Sequence, residues 1–169
     1  MEWIQVYSGA SVYVTDMSKN NSENILIEDI AHGTSMQCRF NGHIKEFYSV
    51  AQHSVHVADM VYKLTGSKKL AFEGLMHDSS EAYLADLPRP VKRALPSYKD
   101  MELVMEKRIA EIFGYDFPLN SIIKEVDIRI LLDEKRAFHI DPEPWPGYGA
   151  DEFGIKLKSW SPDKSKAIF

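Results

Sequence analysis

Apolar and polar residues alternate at two different spacings along this chain, and the spacing changes near residue 25. Before that point, the stretches EWIQVYS and SVYVTDM are rich in aromatic and β-branched residues and are separated by Ser8-Gly9-Ala10. Two such stretches joined by a short glycine-containing loop are typical of a β-hairpin. From Ile25 onward the apolar residues recur at helical spacing. The sequence therefore predicts a mainly α fold, a helical bundle preceded by a small N-terminal β-hairpin.

Capping residues and helix breakers set the predicted ends of these helices. Ser49 and Asn120 each precede an apolar helical stretch, as residues that cap helix N-termini do. Ser97, with an acidic residue three positions later, resembles a capping box. Gly66-Ser67 and the prolines of DLPRP end helices, because proline cannot continue one. The predicted helices cover about 25–38, 49–64, 68–84, 97–114 and 120–139, and the last residues are predicted to form a strand and a short terminal turn.

Length and composition are typical of a globular cytosolic protein. We expect a single domain over residues 1–169, because this length suffices for one core. Hydrophobic residues make up 44% and charged residues 27%, which disfavours a disordered chain. The net charge of −5 gives no reason to expect a nucleic-acid partner. Cys38 is the only cysteine, no stretch is long and apolar enough for a membrane span, and the N-terminus lacks signal-peptide features, so we expect a cytoplasmic protein.

The stretch GLMHDSSEAYLADLP places ionisable groups inside an otherwise apolar helical pattern. His77 and Asp78 are adjacent, and Glu81 follows His77 by four residues, which places both on one helix face. Gly74, one turn earlier, would let a cation approach the backbone. Such a cation would satisfy Asp78, because a carboxylate is costly to bury without a partner. The alternative is that Asp78 and Glu81 face solvent and that His77 is a hydrogen-bonded core histidine.

Two further ionisable residues point toward the core from other predicted helices. His53 shares its helix face with Val57, and Asp127 shares its face with Ile123 and Ile130. Two histidines and two aspartates on three helices suit a divalent transition metal, since imidazole favours zinc, iron, nickel or cobalt over magnesium. The predicted metal ligands are His53, His77, Asp78 and Asp127.

In order and residue type, these ligands resemble the histidine, histidine-aspartate, aspartate signature of the HD-domain metal phosphohydrolases. The stretches FYSVAQHSVHVADMV and GLMHDSSEAYLADLPRPVK resemble the bacterial HD-type deoxynucleoside 5′-monophosphatases. The whole chain, with IEDIAHG, RFNGH and SWSPDKSKA, looks closer to compact phage HD hydrolases, which include dATP triphosphohydrolases. The resemblance implies an HD-domain helical bundle and a metal-dependent enzyme that uses zinc, cobalt, manganese or nickel. It also implies that Glu81 and Asp86 are catalytic, although Asp86 could instead cap the turn that follows it.

Phosphate binding requires positive charge as well as a metal. Arg39 resembles the arginine with which the nucleotidases reach the substrate phosphate. Basic residues on either side of Pro90 could bind the additional phosphates of a triphosphate, although each one alone is better explained as a solvated surface charge. His56 follows His53 by one turn and is predicted to line the pocket. The predicted substrate-binding residues are Arg39, His56, Arg89, Lys92 and Arg93.

Two enzymatic functions follow, and they differ in the substrate. The first is hydrolysis of a deoxynucleoside triphosphate, dATP foremost, to the nucleoside and intact triphosphate; the second removes phosphate from a deoxynucleoside 5′-monophosphate. The phage resemblance favours the first. A third interpretation, a non-catalytic nucleotide-sensing module, is disfavoured by Glu81 and Asp86 beside the ligands. We further expect a small-molecule nucleotide substrate, no membrane partner, a homo-oligomer, and the host cytoplasm as location if a phage encodes the chain.

Overall fold

Helices make up most of the molecule, and one small hairpin precedes them. A computed structural model describes residues 2–140, 145 and 151–169. Strands β1 and β2 are Ile4–Gln5 and Ser11–Val12. Helices α1 to α8, in chain order, are Ile27–Met36, Val50–Thr65, Lys68–Met76, Glu81–Leu84, Arg89–Ala94, Pro96–Phe113, Ser121–Phe138 and Pro162–Ile168. Short 3-10 turns cover Met17–Lys19 and Arg39–Gly42. The predicted mainly α fold with an N-terminal hairpin is confirmed.

The side chain of Asp29 on the first helix binds the loop of the hairpin. Ile4 pairs antiparallel with Val12, and Gly9 takes a φ of 90° in the loop between the strands. Ser8 donates from its backbone nitrogen and its hydroxyl to the two carboxylate oxygens of Asp29 on α1, at 2.7 and 2.8 Å. Because both carboxylate oxygens are engaged, the loop of the hairpin is held against α1.

Most predicted helix ends are confirmed by the observed caps. Ser49 accepts a hydrogen bond from the backbone at the start of α2, and Asn120 does the same for α7. Gly66 and Gly114 end α2 and α6 in the left-handed conformation, with φ of 67° and 73°. Glycine adopts this conformation without the steric penalty that a Cβ brings.

The proline-rich stretch differs from the prediction. Pro88 immediately precedes α5, a helix that the sequence analysis did not predict. Pro96 is the first residue of α6, so Ser97 lies inside that helix and the predicted capping box is wrong. Proline suits a first helical turn, because its φ is already helical and its missing N–H has no partner there. The predicted C-terminal strand is also wrong, since residues 151–161 are irregular and lead directly into α8.

The helix predicted over residues 68–84 is interrupted. Helix α3 ends at Met76 and α4 begins only at Glu81. Nδ1 of His77 donates to the carbonyl oxygen of Gly74 at 2.8 Å. In an uninterrupted helix, that oxygen would accept from the backbone N–H of residue 78. The histidine ring thus competes for the carbonyl oxygen that would accept the next backbone hydrogen bond of the helix.

Helix α2 packs against both α3 and α7, and Gly74 on α3 lets α2 and α3 approach each other closely. A Cβ on Gly74 would lie 3.4 Å from the Cα of Ala58. Gly74 therefore serves helix packing, whereas the sequence analysis assigned it to the approach of a cation. The buried apolar cluster between α2 and α7 consists of Val57, Val61, Ile123, Val126 and Ile130.

Within residues 2–140, 145 and 151–169, the structure contains no helix whose length and apolarity would let it cross a membrane. The cytoplasmic location stays a prediction.

Candidate metal centre and its cavity

Side-chain nitrogen and oxygen atoms from α2, α7 and the turn after α3 converge on one point. Nε2 of His53 lies 3.2 Å from Nε2 of His77 and 3.4 Å from Oδ1 of Asp127. Oδ2 of Asp78 lies 3.6 Å from Nε2 of His53 and 3.2 Å from Nε2 of His77. Atoms bound to one ion at about 2.1 Å lie roughly 3.0–3.4 Å from one another. The cluster of His53, His77 and Asp127 could hold a metal ion, and Asp78 lies next to this cluster.

The two histidine rings are held so that the same nitrogen of each faces this point. Nδ1 of His53 donates to Oε1 of Glu134 at 2.6 Å, and Nδ1 of His77 donates to the carbonyl oxygen of Gly74. With the proton on Nδ1, each neutral ring presents a lone pair on Nε2. Two lone pairs 3.2 Å apart repel unless a cation or a proton lies between them. The rings are therefore arranged for metal binding, in the way that acceptors outside a metal site orient its histidines.

The carboxylates around His53 give the centre a strong preference for positive charge. Burial and the Arg39 guanidinium lower the pKa of His53, but Glu134 and Asp127 outweigh them and raise it to about 9. Burial raises the pKa of Asp127, yet the hydrogen bond and charge of His53 bring it well below its usual range. At neutral pH Asp127 is therefore ionised, and the ring of His53 is in its protonated, positively charged form. A divalent cation would neutralise these carboxylates with more positive charge than the proton on His53 does.

Arg39 lies between the metal centre and the cavity. Its NH2 group donates to Oε2 of Glu134 at 3.1 Å, and NH1 lies 3.6 Å from Oδ2 of Asp78. Arg39 is 8% exposed and lines the cavity. Nε of Arg39 is buried and has no hydrogen-bond partner among the described residues. The guanidinium is thus fixed at one end by Glu134 and lies beside the cluster that could hold the metal.

Glu81 is buried beside the centre and is held by a lysine. Oε1 of Glu81 accepts from Nζ of Lys92 at 2.9 Å, and the same ammonium donates to Glu102 at 2.6 Å. Oε2 has no partner within the described part of the chain. Burial, together with the carboxylates of Asp78 and Asp86, raises the pKa of Glu81 well above its usual range. One oxygen of this carboxyl group is therefore anchored, and the other is left for a ligand of the cavity.

Asp86 reaches the cavity from a strained segment of backbone. The preceding residue, Ala85, has φ 73° and ψ 151°, a region that costs a non-glycine residue about 1–3 kcal/mol. Hydrogen bonds hold it there: the hydroxyl of Tyr98 donates to the Ala85 carbonyl at 2.6 Å, and the Asp86 N–H donates to Oε1 of Gln37 at 2.9 Å. The Gln37 amide also donates to the backbone oxygen of Glu81 at 2.7 Å. A single glutamine thus positions the backbone of both predicted catalytic acids.

The cavity measures about 740 Å³, a volume typical of small-molecule sites. Its lining combines the ionisable residues of the centre with an aromatic group. The ring of Phe40 meets His139 edge-on at 4.8 Å, and His139 meets Trp145 edge-on at 5.3 Å. The predicted site residues in the lining are Arg39, Asp78, Glu81, Asp86, Arg89, Lys92 and Asp127. The cavity therefore offers charged groups and aromatic rings to one ligand.

Comparison with known proteins places the chain in a family. It is 40% identical to the uncharacterized protein YfdR of Escherichia coli K12 over 147 residues, which cover 86% of this chain and 78% of YfdR. The chain belongs to the YfdR family. Another relative, the uncharacterized protein RCAP_rcc00048 of Rhodobacter capsulatus, is 33% identical over 72% of this chain and 63% of its own length. No family model matches the chain.

More distant relatives of this YfdR-family chain are named 5′-deoxynucleotidases. The protein of Yersinia pestis is 30% identical over 51% of this chain, and that of Photobacterium profundum is 27% identical over 41%. The matched segments span 48% and 43% of these two proteins. The similarity therefore covers less than half of each 5′-deoxynucleotidase.

Not all predicted substrate-binding residues of this YfdR-family chain lie at the cavity. Arg89 lines it from an exposed position. Lys92 also lines it, but its ammonium group is already paired with Glu81 and Glu102. Arg93 is exposed, and in the described part of the chain neither it nor His56 belongs to the lining. His56 instead packs 5.0 Å from the ring of Trp160 and stacks at 6.3 Å on Tyr48.

The position of His56 leads to a prediction about stability rather than catalysis. Burial lowers the pKa of His56 to about 4, against an ordinary value of 6.5. Between pH 6.5 and 4, His56 is protonated in the unfolded chain but neutral in the folded protein. The contribution of neutral His56 to the free energy of unfolding is therefore complete above pH 6.5 and is lost as the pH falls toward 4. We expect the free energy of unfolding of the wild type to fall by roughly 2 kcal/mol more than that of His56→Gln between pH 7 and 4.5. Urea titrations at several pH values measure this difference, and parallel profiles would contradict it.

Glu134 is the main site residue that the sequence analysis missed. It is fully buried and contacts both His53 and Arg39. A signal was present, because Glu134 follows Asp127 by seven residues and so shares its helix face. That signal was concealed by the run DEKR at 133–136, which has the composition of a solvated helix face.

Proposed function

We propose that this protein is a metal-dependent phosphohydrolase of the HD-domain type that removes phosphate from deoxynucleoside 5′-monophosphates. The observation that carries the proposal is the convergence of His53, His77 and Asp127 at ion-compatible distances, next to a cavity lined by Arg39 and Glu81. The names of the distant relatives, 5′-deoxynucleotidases, support the monophosphate as substrate. The residues that would hold the metal are His53, His77, Asp78 and Asp127.

The reaction joins a water oxygen to phosphorus and breaks the bond between phosphorus and the 5′ oxygen. A divalent metal, when bound, lowers the pKa of water and polarises a phosphoryl oxygen. Arg39 binds the phosphate with the N–H groups that Glu134 does not use, since a guanidinium matches phosphate geometry. Two proton transfers accompany this step: the attacking water loses one proton to a base and keeps the other on the new P–OH group, and the departing 5′ oxygen gains a proton from an acid.

Glu81 and Asp86 are the two groups that handle these protons. Glu81 has one oxygen anchored by Lys92 and the other without a partner in the described chain, and this second oxygen accepts the proton of the attacking water. Burial, with help from Asp78, raises the pKa of Asp86. The pKa of Glu81 is raised as well, so the roles are assigned from the contact with Lys92: its ammonium group favours an ionised Glu81 that accepts a proton, which leaves Asp86 to donate to the leaving oxygen.

The contacts of the basic residues favour a monophosphate over dATP. The predicted triphosphate site consists of Arg89, Lys92 and Arg93. Lys92 is paired with two carboxylates, and Arg93 is not among the described lining residues. Arg89, the third member of this group, lines the cavity from an exposed position. The dATP triphosphohydrolase activity stays a prediction, without support from the names of the relatives.

Product analysis distinguishes the two substrates. With the metal-loaded protein, we expect orthophosphate from deoxynucleoside monophosphates, with kcat/KM at least about tenfold above that for dATP. Arg89→Glu and its neighbour Arg93→Glu, which lies outside the described lining, should both leave monophosphate hydrolysis within about threefold of wild type. Release of intact triphosphate from dATP, with selective loss in Arg89→Glu, would establish the triphosphohydrolase instead.

The same proposal includes features that the fold leaves as predictions. They are a single domain over residues 1–169, assembly into a homo-oligomer, and zinc, cobalt, manganese or nickel as the physiological metal. Metal analysis of the purified protein identifies the metal, and the mass of the protein in solution gives its oligomeric state.

A further inference from the structure

One buried carboxylate contacts both a histidine of the candidate metal cluster and an arginine that lines the cavity. Glu134 on α7 is fully buried. Its Oε1 accepts from Nδ1 of His53 at 2.6 Å, and its Oε2 accepts from NH2 of Arg39 at 3.1 Å. His53 belongs to the cluster that could hold a metal, and Arg39 lines the cavity. The two oxygens of one rigid, planar group therefore fix the separation of these two side chains.

The burial of Glu134 requires both of these bonds. A carboxylate removed from water is strongly destabilising unless donors satisfy it. Each of the two oxygens of Glu134 accepts a hydrogen bond from one charged or strongly polar donor, His53 or Arg39.

We propose that Glu134 is a positioning residue that sets the phosphate-binding arginine relative to the metal-binding histidine. The inference rests on the proposed function, in which His53 binds the metal and Arg39 the phosphate. Glu134 has no role in the reaction itself. It orients the Nε2 lone pair of His53 toward the metal and turns the remaining N–H groups of Arg39 toward the substrate.

No close substitute can make both bonds. Glutamine has the same length, but its amide nitrogen is a donor and cannot accept from His53 or Arg39. Glu134→Gln can therefore satisfy one of the two partners at a time. Aspartate keeps two acceptors and the charge, but it is one methylene shorter. Glu134→Asp should reach one partner and lose the other.

The neighbouring residue provides a matched control. Asp133 is also a fully buried carboxylate on α7. It accepts from the backbone nitrogens of Phe153 and Ile155 at 3.0 and 3.1 Å, and from Arg136 at 2.7 Å. None of these partners belongs to the cavity lining in the described chain. Asp133→Asn thus changes a buried carboxylate by the same chemistry without touching His53 or Arg39.

The experiment measures binding rather than turnover. Co²⁺ is titrated into the metal-free full chain and followed by its visible absorption, and inorganic phosphate is then titrated into the Co²⁺-saturated protein. We expect Glu134→Gln to bind Co²⁺ about 10–100-fold more weakly, as loss of a histidine's outer partner does. We expect phosphate affinity to fall roughly tenfold, because Arg39 loses its charged anchor. Asp133→Asn should stay within about twofold of wild type for both ligands.

A second comparison separates the effect of Glu134 on metal binding from its effect on phosphate binding. In an Arg39→Gln background, adding Glu134→Gln should change phosphate affinity by less than about twofold, because that effect passes through Arg39. The same addition should still weaken Co²⁺ binding as it does alone. Full additivity for phosphate would show that Glu134 acts on phosphate by another route.

Each outcome decides the question. Wild-type affinities for Co²⁺ and phosphate in Glu134→Gln would overturn the inference, as would equal losses in Asp133→Asn. If circular dichroism shows that Glu134→Gln is unfolded, Glu134→Asp, which keeps the charge, replaces it with the same expected losses for at least one ligand. Neither titration uses a nucleotide. A protein without nucleotidase activity would refute the proposed function and leave these binding results valid.

Discussion

Replacing Asp127 by alanine should remove the bound metal and with it nearly all hydrolysis. Oδ1 of Asp127 lies 3.4 Å from Nε2 of His53, so the substitution deletes one of the converging ligand atoms. The remaining charge of the centre also becomes less negative, which weakens its attraction for a cation. A metal contributes several kcal/mol of transition-state stabilisation, so we expect a loss of about 10³-fold or more in kcat/KM. Metal content per chain and initial rates measure the two effects.

Lys124 supplies the control for this substitution. Its ammonium group contacts Oδ2 of Asp127 at 2.5 Å, but the residue is largely exposed and offers no ligand atom. Lys124→Met should therefore retain the metal at close to one ion per chain under the conditions in which Asp127→Ala loses it. An Asp127→Ala protein that keeps wild-type metal content would show that the ion binds elsewhere. Restoration of its activity by excess metal would instead support weakened binding at this site.

The inward-facing candidate metal ligands were predictable because they follow the helical period. His53 and Asp127 occupy positions that the apolar residues of their helices also occupy, and both are buried in the structure. Caps such as Ser49 and Asn120 were equally readable, since each depends on contacts within three residues. Local pattern and burial together therefore determined most helices and the candidate ligand set.

The break at His77 was not predictable from the period. It depends on a ring nitrogen that takes the carbonyl oxygen of Gly74, and this choice of hydrogen bond leaves no trace in the spacing of apolar residues. The break matters for the site, because Glu81 begins a new helix after it instead of continuing the face of His77. Glu81 lines the same cavity as Asp78 and Asp127, although it does not continue the helix that precedes His77.

Pairings between residues on different elements of the fold account for the other differences. Lys92 is predicted either to bind phosphate or to be a solvated surface charge, yet its ammonium group pairs with Glu81 and Glu102. Glu134 looked like part of a solvated run, yet Arg39 lies 95 positions before it in the sequence and binds it. In both cases the charge of a single residue is neutralised by a partner that only the fold brings near. A pattern within one helix cannot reveal such a partner.

Those pairings also explain why Glu81 can be tested without disturbing the metal. Lys92 and the backbone bond from Gln37 hold Glu81 in place, and the structure contains no direct hydrogen bond, among the described contacts, between its carboxylate and His53, His77 or Asp127. Glutamine keeps an acceptor oxygen for Lys92. Glu81→Gln should therefore fold and bind metal like the wild type.

Glu81→Gln should nevertheless lose about 10²–10⁴-fold in kcat, the range that a positioned acid-base group contributes. An amide cannot take a proton from water at neutral pH, so the chemical step is affected and substrate binding much less. Glu102→Gln is the matched control, because Glu102 pairs with the same ammonium at 2.6 Å and is not among the described lining residues. We expect it to lose less than about fivefold, since Lys92 keeps its bond to Glu81. If both variants fell equally, the charge on Lys92 would be what matters; if Glu81→Gln turned over like the wild type, the proton of the attacking water would have to go to Asp86.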